Sequence, residues 1–363
     1  MNSLDKRIEK IRLITKEKNC AMLITDDVSR HYVFGFSSSA GYGYISENVC
    51  NLYLDFRYFE KAVVLQKNGK ISKLVNICKA EKSKADVLKA LAKSDGISEI
   101  MFEDLRTVYS DYKSLSELLL PEIKLVEAGD ILQSMRAEKD EQELSKISAA
   151  QEITDFSFSY ICGYIKKGMT EKQVANELEF FMKKNGAEDI AFSTICVSGK
   201  KSSMPHGEPD DTVISDGFLT LDFGAKFDGY CSDMTRTVCI GKPTDKMKKI
   251  YDIVLSAQNA AFSKIKSGVC GADVDNAARS IISDAGYSEC FGHSTGHSLG
   301  LEIHESPSFS PREVRKIPAN AVLSVEPGIY LEGNCGVRIE DIVIITENGY
   351  KNLTKSTKEF III

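Results

Sequence analysis

The sequence predicts an α/β domain at the N-terminus, followed by an α+β domain whose two similar halves pack around a pseudo-two-fold axis. Three observations carry that prediction. Helix and strand patterns alternate over the first 130 residues, as in a mixed sheet with flanking helices. The remainder repeats itself at an offset of 100 residues, and each copy is followed by a strand, a glycine-containing turn and a second strand. At 363 residues the chain is long enough for two domains, each able to bury its own core.

Taken in order, residues 4–18 have the spacing of a charged amphipathic helix. Ala21–Thr25 and Asn51–Asp55 read as strands, and Ser83–Lys93 as a helix. The charged stretch MRAEKDEQE (135–143) opens a long helix, and the boundary is placed there, giving domains 1–134 and 135–363. In the second domain, IKKGMTEKQVANELEFFMKKNGAE from Ile165 matches IKSGVCGADVDNAARSIISDAGYS from Ile265. Gly168 falls on Gly268, Val174 on Val274, Asn176 on Asn276 and Gly186 on Gly286. Long helical patterns precede the copies, over 141–165 and 246–265, and each copy shows a helix-ending glycine, a polar turn, a second helix and a terminal glycine. Downstream, FLTLDFGAKFDGYC (218–231) matches VLSVEPGIYLEGNC (322–335) at an offset of 104, which sets Asp222 on Glu326, Gly229 on Gly333 and Cys231 on Cys335. The two cysteines are read as small core residues. Halves related in this way bring an acidic residue from each to the axis, a geometric reason to expect a shared cation.

Composition narrows the function classes. Apolar residues make up 43% and charged residues 27%, with a net charge of −6 and no basic stripe, so no nucleic-acid partner is expected. No apolar run approaches the roughly 20 residues that span a bilayer, and the charged N-terminus lacks the apolar core of a signal peptide. The ten cysteines contain no C-x-x-C pair, which argues against a zinc–thiolate site; free thiols without a signal peptide point to the cytoplasm.

The chemistry concentrates in a few strand-end residues. Asp222 ends an apolar strand pattern, where an uncompensated charge is costly. Asp233 follows eleven residues later, past a glycine turn, so the two carboxylates can meet on neighbouring antiparallel strands. Like charges that close repel, and a cation between them resolves the conflict. A lone aspartate there would more simply cap a surface turn. The second half repeats the theme with Glu326 in SVEPGIY and Glu340 in GVRIEDIVII. Between the carboxylate pairs of the two halves, FGHSTGHSLGLEIHES holds His293, His297 and His304, three of only five histidines. One such histidine would suit a packed core; three beside four misplaced carboxylates suit a site. Four carboxylates and an imidazole form a hard, oxygen-rich set that favours Mn²⁺, with Co²⁺ or Zn²⁺ also accommodated.

On these motifs the chain resembles the aminopeptidase P and prolidase group of the M24 metallopeptidases, over essentially its whole length. The resemblance implies a creatinase-type N-terminal domain, carried by YVFGFSSSAGYGYI and LYLDFRYFEKA, and a pita-bread catalytic domain. It implies two divalent metals held by Asp222 in LDFG, Asp233 in SDMTRT, His297 in STGHSLG, Glu326 in VEPG and Glu340 in RIED, with Asp233 and Glu340 bridging. A hydroxide between the metals would attack the scissile carbonyl, and Glu326 would carry its proton to the leaving proline nitrogen. His206 in MPHGE, His293 and His304 are implied to contact substrate, and Arg338 to hold or orient the site. Arg57 and Tyr58 in DFRY are read as structural. The implied substrates are small peptides with proline second, and the implied assembly is a homodimer. One departure from the pattern is Ser298-Leu299, where Gly-Val is commoner.

Three alternatives are weighed. Methionine aminopeptidases share the ligand types but typically lack this N-terminal domain, and their two glutamate ligands lie further apart than the 14-residue separation of Glu326 and Glu340. Creatinase-like hydrolases work without the metal cluster, and non-catalytic binding proteins on this scaffold lose ligands that this chain keeps. Dipeptidase and aminopeptidase activity both remain open at this stage.

Overall fold

The computed structural model of the chain describes residues 2–363, which form two compact units, 2–136 and 137–363. No helix among the described residues is long and apolar enough to cross a membrane.

The first unit is a mixed six-stranded sheet. Its strands are β1 (Ala21–Ile24), β2 (Tyr42–Ile45), β3 (Cys50–Leu54), β4 (Asn76–Lys79), β5 (Glu99–Phe102) and β6 (Lys124–Glu127), in the order β4-β3-β2-β1-β5-β6. Its helices are α1 (Ser3–Lys18), α2 (Asp27–Phe34), α3 (Phe56–Lys67), α4 (Lys84–Asp95) and α5 (Tyr109–Leu119), with α6 (Ile131–Ala137) at the end. The predicted elements are present, displaced by a residue or two at their ends. β1 runs antiparallel to β2 and parallel to β5. Leu23, Tyr44, Leu88 and Ile100 fill the core. Arg57 and Tyr58 are tied down locally, Arg57 to Asp55 and Tyr58 to the Ser39 hydroxyl.

The second unit opens with α7 (Glu141–Tyr164), started by a capping box in which Asp140 accepts from the Glu143 N–H and the Glu143 carboxylate accepts from the Asp140 N–H. The charged stretch 135–143 is therefore not one continuous helix: it spans the end of α6, a break, and the cap of α7. Next come α8 (Glu171–Lys184) and strands β7 (Asp189–Ile190), β8 (Ile195–Ser198), β9 (Gly217–Phe223), β10 (Ala225–Phe227), β11 (Tyr230–Cys231) and β12 (Met234–Ile240). The second half supplies α9 (Asp245–Phe262), α10 (Gly271–Asp284) and strands β13 (Gly296–Ser298), β14 (Glu305–Phe309), β15 (Val322–Val325), β16 (Gly328–Leu331), β17 (Cys335–Arg338), β18 (Asp341–Thr346) and β19 (Gly349–Asn352). Helices α8 and α10 begin and end one hundred residues apart, as the repeat requires. Gly168 and Gly268 turn the chain into them at φ 95° and 78°, a conformation that L side chains avoid. Order β12-β9-β8 in one sheet answers order β18-β15-β13 in the other. Each half buries its own cluster, around Leu178, Leu221 and Met234 in the first and Val274, Leu323 and Val343 in the second.

Candidate metal centre

Two long hairpins build the site. In the first, β9 and β10 run out and β11 and β12 return, with Asp222 opposite Thr235 and Phe227 opposite Tyr230 in one unbroken register that sets Gly224 opposite Asp233. In the second, β15 and β16 run out and β17 and β18 return, with Val325 opposite Asp341 and Gly328 opposite Arg338, which sets Glu326 opposite Glu340. The second turn is one residue longer, so the offset of 104 holds on the outgoing strands only. This corrects the sequence alignment of the return strands. Cys231 answers to Gly336 rather than Cys335, Asp233 answers to Arg338, and Glu340 answers to Thr235. Because strand residues alternate faces, Asp222 and Asp233 share a face of one hairpin, while Glu326, Arg338 and Glu340 share a face of the other.

All nine residues singled out in the sequence line one cavity of about 550 Å³: Asp222, Asp233, His297, Glu326, Glu340, His206, His293, His304 and Arg338. Asp233, Glu340 and Arg338 are at most 4% exposed and Asp222 is 9% exposed. The hairpins are stitched across the pseudo-axis. The Glu340 N–H donates to the Thr235 carbonyl at 3.1 Å, and the Thr235 hydroxyl donates to Glu340 Oε2 at 2.7 Å. The Arg338 guanidinium donates to Asp222 Oδ2 at 2.5 Å, to the Thr235 hydroxyl at 2.9 Å, to the Tyr330 hydroxyl at 2.7 Å and to the Pro205 carbonyl at 3.3 Å.

His297 lies on β13, where its Nδ1–H donates to the Ser298 carbonyl at 3.2 Å. That fixes the tautomer and leaves Nε2 facing Asp233 Oδ2 at 3.4 Å and Glu326 Oε1 at 3.3 Å. The N–H of Glu326 donates to the Thr295 carbonyl at 2.7 Å, which puts His297 in the place that Val197 occupies on β8 of the first half. His297 therefore has no counterpart in the repeat. His304 stacks edge-on against it, ring centroids 4.4 Å apart. His206 lies on the cavity wall in the exposed segment after the 3₁₀ turn Gly199–Ser203.

His293 is placed differently. Its Nδ1 contacts the Ser294 carbonyl at 2.9 Å and must carry the proton there; its Nε2 lies 2.9 Å from the Tyr330 hydroxyl. Burial holds its pKa down, so the neutral ring accepts at Nε2 from Tyr330, whose oxygen in turn accepts from Arg338. Both ring nitrogens are engaged by the protein. Sequence reasoning missed Tyr330 and Thr235. The only available signals were their spacings, four residues past Glu326 and two past Asp233. Gly328 makes room for Tyr330, since a Cβ there would lie 2.6 Å from its hydroxyl.

The electrostatics are those of a cation site. Burial, then the surrounding carboxylates, push Glu340 far above the usual carboxylate range. Burial raises Asp222 against the opposing pull of Arg338, and it raises Asp233 to about 7 against His297. His297 loses from burial but gains more from Asp233 and Glu326, reaching about 9. Asp222 Oδ1 and Glu340 Oε1 are buried without any hydrogen-bond partner, an expensive arrangement for a carboxylate. One ligand atom each from Asp233, His297 and Glu340 lies within 4.8 Å of the other two. Orphaned oxygens, raised pKa values and an oriented imidazole all fit a divalent metal.

Comparison with known proteins agrees. Residues 145–347 match the model of metallopeptidase family M24, and residues 7–137 match the creatinase/prolidase N-terminal domain. The chain belongs to metallopeptidase family M24. It is 36% identical to an Xaa-Pro dipeptidase of Pyrococcus horikoshii over 99% of this chain and 100% of that one. Among solved structures it superposes on an Xaa-Pro dipeptidase from Bacillus anthracis with TM-score 0.93 and 39% identity, covering 99% and 100% of the two chains. It superposes on an X-Pro aminopeptidase from Thermotoga maritima with TM-score 0.87 and 38% identity, covering 95% and 97%. The M24 fold is thus a pita-bread catalytic unit following a creatinase-type unit, and the protein is a hydrolase of the metallopeptidase class.

Proposed function

We propose that the protein hydrolyses the bond between an N-terminal residue and proline, as an Xaa-Pro aminopeptidase or dipeptidase, using two divalent ions, with Mn²⁺ the best match to the donor set. The observation that carries this reading is the cluster of buried Asp222, Asp233 and Glu340 with half-buried Glu326 and His297 on one wall of the cavity. With all four carboxylates ionised and the His297 imidazole neutral, as metal binding requires, the wall carries three negative charges net of Arg338, more than one divalent ion neutralises. Specificity for proline is supported by the near full-length relatives named Xaa-Pro peptidases, and by the apolar Phe192, Ile195, Pro205 and Ile303 on the cavity wall, which suit a pyrrolidine ring.

Asp233 and Glu340 would be shared by the two ions, with Asp222 serving one and His297 and Glu326 the other. When bound, the ions supply the Lewis acidity that yields a nucleophile from water near neutral pH. Glu326 takes the proton of the attacking water at a carboxylate oxygen and passes it to the proline nitrogen as the amine leaves. Ser324 steadies this carboxylate, its hydroxyl donating to Glu326 Oε1 at 3.0 Å. His304 and His206 offer donors to substrate oxygens, whereas His293 forms wall and lock, holding Tyr330 against Arg338. A reducing, cytoplasmic compartment accompanies the reading, supported by ten free cysteines, and a homodimer is carried over from the family resemblance.

The test is release of the first residue from X-Pro and X-Pro-Y peptides with added Mn²⁺. Cleavage of both, or of X-Pro-Y alone, identifies an aminopeptidase, and cleavage of X-Pro alone a dipeptidase. Folded protein that cleaves neither refutes the proposal.

A further inference from the structure

Lys139 sits in the break between α6 and α7, immediately before the Asp140 cap. Its side chain is 1% exposed, and its ammonium lies 3.2 Å from Glu305 Oε2, itself on a side chain 5% exposed and 166 residues away. The Lys139 N–H donates to the Asn320 carbonyl at 3.1 Å, anchoring its stem beside the entry to β15. Glu305 directly follows His304 and pairs with Ser298 across an irregularity between His297 and Ser298. The ion pair therefore lies at the base of a closed loop whose ends are His297 and His304. Glu305 Oε1 also accepts the Glu302 N–H at 3.2 Å, and it packs where Gly300 has no side chain, since a Cβ would stand 2.9 Å away. The Cys231 N–H donates to the Gly300 carbonyl at 2.7 Å, tying the loop to the first hairpin.

A buried ion pair is a poor source of stability, because desolvation consumes most of what the attraction returns. What it does enforce is geometry, since the Lys139 ammonium, on a side chain 1% exposed, cannot leave Glu305 without losing its charge compensation. We infer that Lys139 is a positioning residue for the metal centre: through Glu305 it fixes the His297–His304 loop and hence the mutual setting of the two imidazoles. The inference rests on the proposed roles of those histidines, but one arm of its test does not.

The test uses the full chain carrying Lys139→Met or Glu305→Gln, the latter preserving shape while removing charge. Histidine labelled at Cε1 gives five resonances, assigned by single His→Gln variants. In the metal-free protein either substitution should move the His297 and His304 resonances and leave that of His31, in the first unit, in place. With Mn²⁺ and an X-Pro-Y peptide, Lys139→Met should lower kcat/KM on the order of 10²-fold, the scale of a misplaced catalytic group. Unmoved His297 and His304 resonances in a cooperatively folded variant overturn the inference, whatever the activity. If Lys139→Met does not fold, the Glu305→Gln resonances decide by the same criterion. If the wild-type chain cleaves no proline peptide, the resonance arm still separates positioning from the functional reading.

Discussion

Replacing Arg338 by methionine removes the one guanidinium from a wall of carboxylates, and the cost can be worked out from its contacts. Asp222 Oδ2 loses a donor at 2.5 Å, Thr235 one at 2.9 Å and Tyr330 one at 2.7 Å, all in a region where Arg338 is 3% exposed. Stranding one member of a buried ion pair costs about 3–5 kcal/mol. For a unit of this size that corresponds to a fall of about 6–20 °C in Tm. Asp222 can escape by taking a proton, because burial already raises its pKa. The penalty should therefore be smaller in acid and grow as pH rises, because a protonated Asp222 leaves no stranded charge and an ionised one does. Thermal unfolding of chelator-treated protein at pH 5 and 8 reads this directly. The double variant Asp222→Asn/Arg338→Met should recover most of the loss, a coupling of several kcal/mol in a double-mutant cycle. A Tm shift under about 2 °C at pH 8, against the 6–20 °C expected, or singles that simply add, would refute the argument that Arg338 exists to neutralise Asp222.

Further outcomes follow from the same geometry. Metal affinity should rise with pH up to about 7, and more gently to about 9, because Asp233 and then His297 must surrender protons to bind; titration calorimetry measures it. Both groups hold their protons more tightly when folded, so metal-free protein should lose stability as pH rises through those values while metal-loaded protein should not. Glu326→Ala should abolish turnover and keep the fold, and residual activity near wild type would remove its assigned role. Gly296→Ala would place a Cβ 1.9 Å from the Ser324 carbonyl, pushing β13 off β15; weakened metal binding is expected, and unchanged affinity would show that His297 tolerates the shift.

Much of this was legible in the sequence because two physical signals coincided. Gly224 and Gly328 mark the same bend in two hairpins, and Asp222 and Glu326 break apolar strands where an uncompensated charge is hard to sustain. The return strands were harder. Offset matching cannot see that the second turn holds three residues between Leu331 and Cys335, whereas the first holds two between Phe227 and Tyr230. The alignment therefore paired Cys231 with Cys335 and hid the correspondence of Asp233 with Arg338. Tyr330 and Lys139 escaped for another reason. A tyrosine in a strand and a lysine in a charged run are ordinary in sequence, and only their partners, 8 and 166 residues away, give them meaning.

The exchange of Asp233 for Arg338 has a consequence for what the site can read. A pocket with perfect two-fold symmetry presents identical surroundings to either end of a bound chain, and so cannot distinguish head from tail. A peptide has a direction, and an exopeptidase must sense it. In this protein the duplicated scaffold supplies the matched pair Asp222 and Glu326, while polarity comes from the positions where the halves disagree: aspartate against arginine, threonine against glutamate, and valine against the His297 imidazole. Those three mismatches give the cavity a front and a back.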